Sequence, residues 1–116
     1  MKVKLLKSKI HRAVVTQADL DYVGSISIDT ALLKAAGLYE FEKVHVLDIT
    51  NGARLETYVI SAPENSGEIC INGAAAHLIK PEDKVIIVAY CSMDNEEALN
   101  HKPTIVHVDS NNKIIN

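Results

Sequence analysis

Two strand-like runs flank the dipeptide Asn51-Gly52. In Lys43 to Thr50, Val44, Val46 and Asp48 fall on one side, and His45, Leu47 and Ile49 fall on the other. Ala53 to Ser61 again has the composition of a strand. Asn-Gly between two such runs is the strongest short-range signal for a β-hairpin, because both residues tolerate the positive φ that a tight turn requires. The middle of the chain is thereby committed to antiparallel sheet. Lys84 to Tyr90 adds a second constraint: it is almost continuously apolar, so it must be a buried strand.

The remaining segments suit the same class. Val3 to Ser8 and Lys9 to Gln17 are expected as strands. In the second, His11, Ala13 and Val15 would share one face, and Ile10, Arg12, Val14 and Thr16 the other. Ala18 to Asp21 is expected as a turn that delivers Tyr22 to Gly24-Ser25, with a short strand over Ser25 to Ile28. Asp29 has the character of an N-cap. Ala31, Leu32, Ala35 and Ala36 follow at helical spacing, and Gly37 supplies the stop. Pro63 to Gly67 is a loop, Glu68 to Ile71 a short strand, and Ala74 to Ile79 a helical turn. Asp94 can cap a short helix over Asn95 to Leu99. Thr104 to Asp109 is a last strand, and Ser110 to Asn116 either pairs late or frays. Many short strands with two or three small helices predict a mainly β, barrel-like fold.

Composition narrows the function classes. At 116 residues there is room for one domain, and the 47% hydrophobic content has no Trp and one Phe, so the core must be Val, Ile, Leu and Ala. A net charge of −3 provides no broad cationic field, and nucleic acid is not an expected partner. No apolar run approaches the roughly 20 residues that cross a bilayer, so no membrane partner is expected. The first ten residues lack a signal peptide's apolar region, and Cys70 and Cys91 read as reduced, buried thiols, which together predict a cytoplasmic protein. No His, Cys or acidic residues have metal-ligand spacing, so no metal site is expected.

Several blocks carry a more specific signal. They are Lys9-Ile10-His11-Arg12, the stretch Thr16 to Ser25 ending in Tyr22-Val23-Gly24-Ser25, Thr50-Asn51-Gly52-Ala53-Arg54, Thr57-Tyr58, and Asn72-Gly73-Ala74-Ala75-Ala76-His77. In order and spacing they resemble the pyruvoyl-dependent aspartate decarboxylase family along nearly the whole chain. The resemblance implies a double-psi β-barrel, assembled as a homotetramer with sites between subunits. It also implies self-cleavage between Gly24 and Ser25 into a β chain (1–24) and an α chain (25–116) that begins with a pyruvoyl group. The implied reaction is decarboxylation of L-aspartate to β-alanine and CO₂, a step of pantothenate biosynthesis.

The residue chemistry is compatible with that implication. Glycine at 24 has no Cβ and leaves its carbonyl open to attack by the Ser25 hydroxyl. The family route is an N→O acyl shift to an ester, then β-elimination to dehydroalanine, which hydrolyses to the pyruvoyl end and ammonia. Losing CO₂ from an amino acid leaves a carbanion, which needs a conjugated electron sink. A ketone that condenses with the substrate amine as a Schiff base provides one, so neither pyridoxal phosphate nor a metal is expected. By the same resemblance Tyr58 is the proton donor, and a phenol with a pKa near 10 is protonated at neutral pH. Thr57 is assigned to the site as well, although in a regular strand it faces away from Tyr58; a bulge or an intersubunit site would reconcile them. Arg54 is the natural bidentate clamp for the retained carboxylate, with Lys9 as a second positive charge. Gly73, Ala74 and Ala75 would bring small side chains and free backbone N–H groups to the substrate. His11, Tyr22 and Asn72 complete the candidate pocket as hydrogen-bonding groups.

Each feature also has a plainer reading. A Gly-Ser pair is most often a turn, Tyr58 covers a core, and Arg54 and Lys9 are solvated. On that reading the chain is an uncleaved barrel serving as a small-ligand or interaction module.

Overall fold

In the computed structural model, which describes Met1–Asn116, eight strands form one sheet in the order β2-β6-β3-β5-β4-β7-β1-β8. The strands are β1 (Lys2–Val14), β2 (Gln17–Asp19), β3 (Ser25–Asp29), β4 (Lys43–Asp48), β5 (Arg54–Ala62), β6 (Ile69–Asn72), β7 (Lys84–Asp94) and β8 (Thr104–His107). Two short helices, α1 (Thr30–Ala36) and α2 (Asn95–Ala98), and a 3₁₀ turn over Gly73–His77 complete the elements.

The apolar run at 84–90 behaves as its composition requires. It belongs to β7, which lies between β1 and β4, and Val85, Ile87 and Ala89 are fully buried there. Asn51-Gly52 does join an antiparallel pair, β4 and β5, through a loop of five residues rather than two. Asp48 organises that loop: its Oδ1 accepts the Thr50 and Asn51 N–H groups at 2.8 and 3.2 Å. The helix over 30–36 is also as expected. Asp29 accepts the Ala31 N–H at 2.8 Å, and Gly37 ends the helix at φ +69°.

Two expectations are corrected. The segments 3–8 and 9–17 are not separate strands; β1 is continuous to Val14 and bends at register shifts between Leu6 and Ser8 and between His11 and Ala13. Arg12 occupies the second bulge at φ +68°, and one extra residue resets the side-chain alternation. Ile10 and Ala13 are consequently both buried, whereas Ile10 and Arg12 do not share a face. The expected turn at 18–21 begins as strand, because Gln17–Asp19 pairs parallel with Cys70–Asn72 before the chain turns at Leu20. Of the two readings of the tail, late pairing holds: Val108 bridges Ile114, and Asn112 is 1% exposed.

Asn112 and Thr16 also close the sheet. The Asn112 amide bonds both to Val14 N–H and C=O (2.7 and 2.8 Å) and to Gly67 C=O (2.8 Å). Thr16 donates its backbone N–H to Ile69 C=O at 2.8 Å. The end of β1 is thereby tied to the opposite end of the sheet, around a core of Ile10, Ile26, Ile28, Leu32, Ile69, Ile71, Ile79 and Ile87 with several valines. Tyr22, Tyr39, Phe41 and Tyr90 all lie outside that core, exposed. No helix is long and apolar enough to cross a membrane.

Candidate active site

Ser25 opens β3 directly opposite Asn72, the last residue of β6. Both are buried, at 1% and 3% exposure. The Asn72 Nδ2 group donates to Ser25 Oγ at 2.9 Å and to Ser27 Oγ at 3.0 Å, while its Oδ1 accepts the Cys70 Sγ–H at 3.2 Å. Serines 25 and 27 share one face of β3 because side chains alternate with a period of two.

The next residue, Gly73, is the sterically demanding glycine. It sits at φ +74°, and a Cβ there would lie 2.7 Å from Gly24 Cα and 3.2 Å from the Tyr22 carbonyl oxygen. The Asn72-Gly73 backbone is therefore packed flat against residues 22–24. Gly24 lies outside the left-handed region, and a Cβ there would make only an ordinary contact of 4.0 Å.

β3 runs parallel to β5 with Ile26 beside Val59. Continuing that register backward places Ser25 beside Tyr58 and Gly24 beside Thr57. Before Ser25, however, the chain is no longer strand, so β5 has no partner on that side from Leu55 to Tyr58. The gap is a cleft of 440 Å³ lined by Gly24, Thr57, Tyr58, Asn72, Ala74 and Ala75, among others. This explains how adjacent Thr57 and Tyr58 reach the same space. The β4–β5 register passes through both without a bulge, and the cleft follows the open edge of the strand instead of one face.

Other candidates lie elsewhere in the single chain. Arg54 lines an adjoining cleft of 280 Å³ that shares Leu55 and Glu56 with the first. Lys9, on β1 between Val88 and Ile105, lines neither. His11 lines a third cleft of 220 Å³ with Arg12 and His107, its ring edge-on to His107 at 5.5 Å. Burial, followed by the charges of Lys9, His107 and Arg12, holds the His11 pKa below its usual value. Tyr22 does not line the cleft; its backbone carbonyl lies close to Gly73 and its side chain is exposed. A larger cleft of 620 Å³, around Lys4, Lys43, His45 and Tyr90, holds no candidate residue. No three His, Cys, Asp or Glu side chains are grouped to hold a metal.

Ser27 and Cys70 are functional-looking neighbours that motif reading passes over. Period-two faces on β3 and β6 hold the signal that links them to Ser25 and Asn72, but it emerges only once the two strands are paired.

Comparison with known proteins gives a consistent result. The family model described as Aspartate decarboxylase matches residues 1–115. Aspartate 1-decarboxylase of Caldicellulosiruptor bescii is 61% identical over 115 residues, spanning 99% of this chain and 90% of the relative. The protein of the same name from Corynebacterium efficiens is 64% identical over 111 residues, 96% of this chain and 82% of its own length. That of Clostridium novyi is 59% identical, covering 98% and 93%.

Proposed function

Because the chain belongs to the aspartate decarboxylase family, we propose that it cleaves itself between Gly24 and Ser25 and decarboxylates L-aspartate to β-alanine and CO₂. The observation that carries this reading is the placement of Ser25. Its hydroxyl is held by Asn72, and the preceding Gly24 lines a cleft with Thr57 and Tyr58.

In the cleavage, Ser25 Oγ attacks the Gly24 carbonyl carbon. The new C–O bond replaces the C–N bond, and the Ser25 nitrogen gains the proton that Oγ gives up. The Asn72 N–H on Oγ stabilises the negative charge that develops as that proton leaves. A pyruvoyl group formed at residue 25 suits the surroundings: it would begin a buried strand next to an open cleft, with small Ala74 and Ala75 leaving space for a substrate. Once formed, it supplies the electron sink that loss of CO₂ requires.

The remaining roles belong to side chains. Tyr58, half-buried at the cleft, returns a proton to the α-carbon. Thr57 holds substrate beside it, and Gly73 fixes the backbone against which the cleft is built. Arg54, in the adjoining groove, takes the retained carboxylate as a bidentate pair. In a homotetramer, Lys9 and His11, which lie outside the cleft of their own chain, reach the cleft of another copy. The reaction would supply β-alanine for pantothenate biosynthesis in the cytoplasm, with neither metal nor pyridoxal phosphate.

Denaturing mass spectrometry of the aged protein tests the reading. Fragments 1–24 and 25–116 are expected, the larger becoming covalently labelled when aspartate is trapped with borohydride. Ser25→Ala should remain one chain and bind no label. A parent chain that stays whole would overturn the proposal and point to the uncleaved barrel acting as a ligand-binding module.

A further inference from the structure

A carboxamide carries two N–H donors at one end and an acceptor oxygen at the other, and half a turn exchanges them. For Asn72 the two orientations have different consequences at Ser25. As found, Ser25 Oγ accepts an N–H, so the hydroxyl proton is not committed to Asn72 and is free to leave during attack. In the reverse orientation Oδ1 would accept the Ser25 O–H. A neutral amide oxygen is too weakly basic to remove that proton, so the hydroxyl would be tied down in its unreactive form.

The groups around Asn72 select the orientation. On the β3–β6 ladder Ser25 pairs with Asn72 and Ser27 with Cys70, two rungs either side of Ile26–Ile71, so the four side chains fall on one face and form a box. Cys70 faces Oδ1, and a thiol gives its hydrogen to an amide oxygen more readily than it accepts an N–H. Ser27 accepts the second Nδ2 hydrogen and keeps that end from rotating away. Burial, followed by the negative charges of Glu68 and Asp19, raises the Cys70 pKa, so the thiol remains a donor through the neutral range. Cys70 is only 5% exposed, and water has little access to compete for its bond to Oδ1.

On the reading of Gly24-Ser25 as the scissile bond, we propose that Cys70 and Ser27 are positioning residues for the cleavage, fixing the Asn72 carboxamide with an N–H on Ser25 Oγ.

The test follows cleavage of the full chain after cell-free synthesis, by intact mass spectrometry over time. Cys70→Val keeps the approximate volume and removes the donor, so cleavage should slow by about tenfold, the effect of losing one hydrogen bond. Cys70→Ser restores a donor and should recover to within about threefold of the parent. Ser27→Ala should slow cleavage by about threefold, and because Ser27 is partly exposed it tests the same box without a core change. Thermal unfolding of each variant in a Ser25→Ala background, where no chain is cut, separates lost stability from lost positioning. Parent-like rates in Cys70→Val and Ser27→Ala would overturn the proposal, as would equal slowing in Cys70→Val and Cys70→Ser. A parent chain that never cleaves would instead defeat the assignment of Ser25, and this proposal with it.

Discussion

Tyr58 and Gly73 show how much depends on single residues here. Tyr58 lines the cleft beside the position that parallel register gives Ser25, and its hydroxyl is the one atom its role requires. Tyr58→Phe should therefore still be cut at Gly24-Ser25, while turnover with aspartate falls by about 10²-fold or more; a β-alanine assay on the cut variant measures it. Gly73→Ala adds a Cβ 2.7 Å from Gly24 Cα at a φ of +74°. Strain of about 1–3 kcal/mol or more would push the 22–24 segment away from Asn72, so the full chain should accumulate uncut, as a denaturing gel would show. The motif Asn-Gly-Ala-Ala-Ala-His made Gly73 visible in the sequence, but not its reason for being glycine, which is an approach by a segment 49 residues earlier. Gly24 itself is sterically undemanding. What sequence could not reveal was which side chains complete the Asn72 box, because Cys70 and Ser27 belong to no motif and acquire meaning only through strand pairing.

Elements were legible where local chemistry fixes them. The cap of α1, its αL glycine, the β4–β5 hairpin and the buried β7 were all readable, because each rests on neighbours in sequence. The β1 bulges were not, since Arg12 at positive φ has no compositional signature, and β2 was hidden because its partner lies some fifty residues away. The α1 cap does more than end a helix. Asp29 is 1% exposed, its Oδ1 accepts from Ala31 and Asn65, and its Oδ2 accepts from Gly67, all at 2.8 Å. Asp29→Ala would leave three donors without that carboxylate, and should lower stability by about 2–4 kcal/mol. Denaturant unfolding in a Ser25→Ala background measures the loss.

For the molecule as a whole, stability should depend on pH through Asp48. Burial first and the neighbouring Asp83 carboxyl second raise its pKa from 3.8 to about 6. The folded state thus binds this proton more tightly than the unfolded chain does. The stabilisation is complete below about pH 4, declines as pH rises toward 6, and is absent above that. Asp48→Asn keeps an oxygen acceptor for the hairpin loop without the buried charge. It should match the parent near pH 4 and be more stable at pH 8 by on the order of 1–3 kcal/mol, as paired thermal melts would show. The barrel itself was legible from the density of short strands, but its closure was not, because the clasp is Asn112 in a polar tail whose sequence does not choose between late pairing and fraying. That clasp bears on what a cut at residue 24 would produce. β1 is held between β7 and β8 and fastened by Asn112, so the short piece cannot drift off while the barrel stands. Once melted, though, its two parts must find each other again by diffusion. Refolding of the severed protein should accelerate with dilution reversed, that is, with rising concentration, whereas the unsevered Ser25→Ala chain should refold at the same rate however crowded the tube.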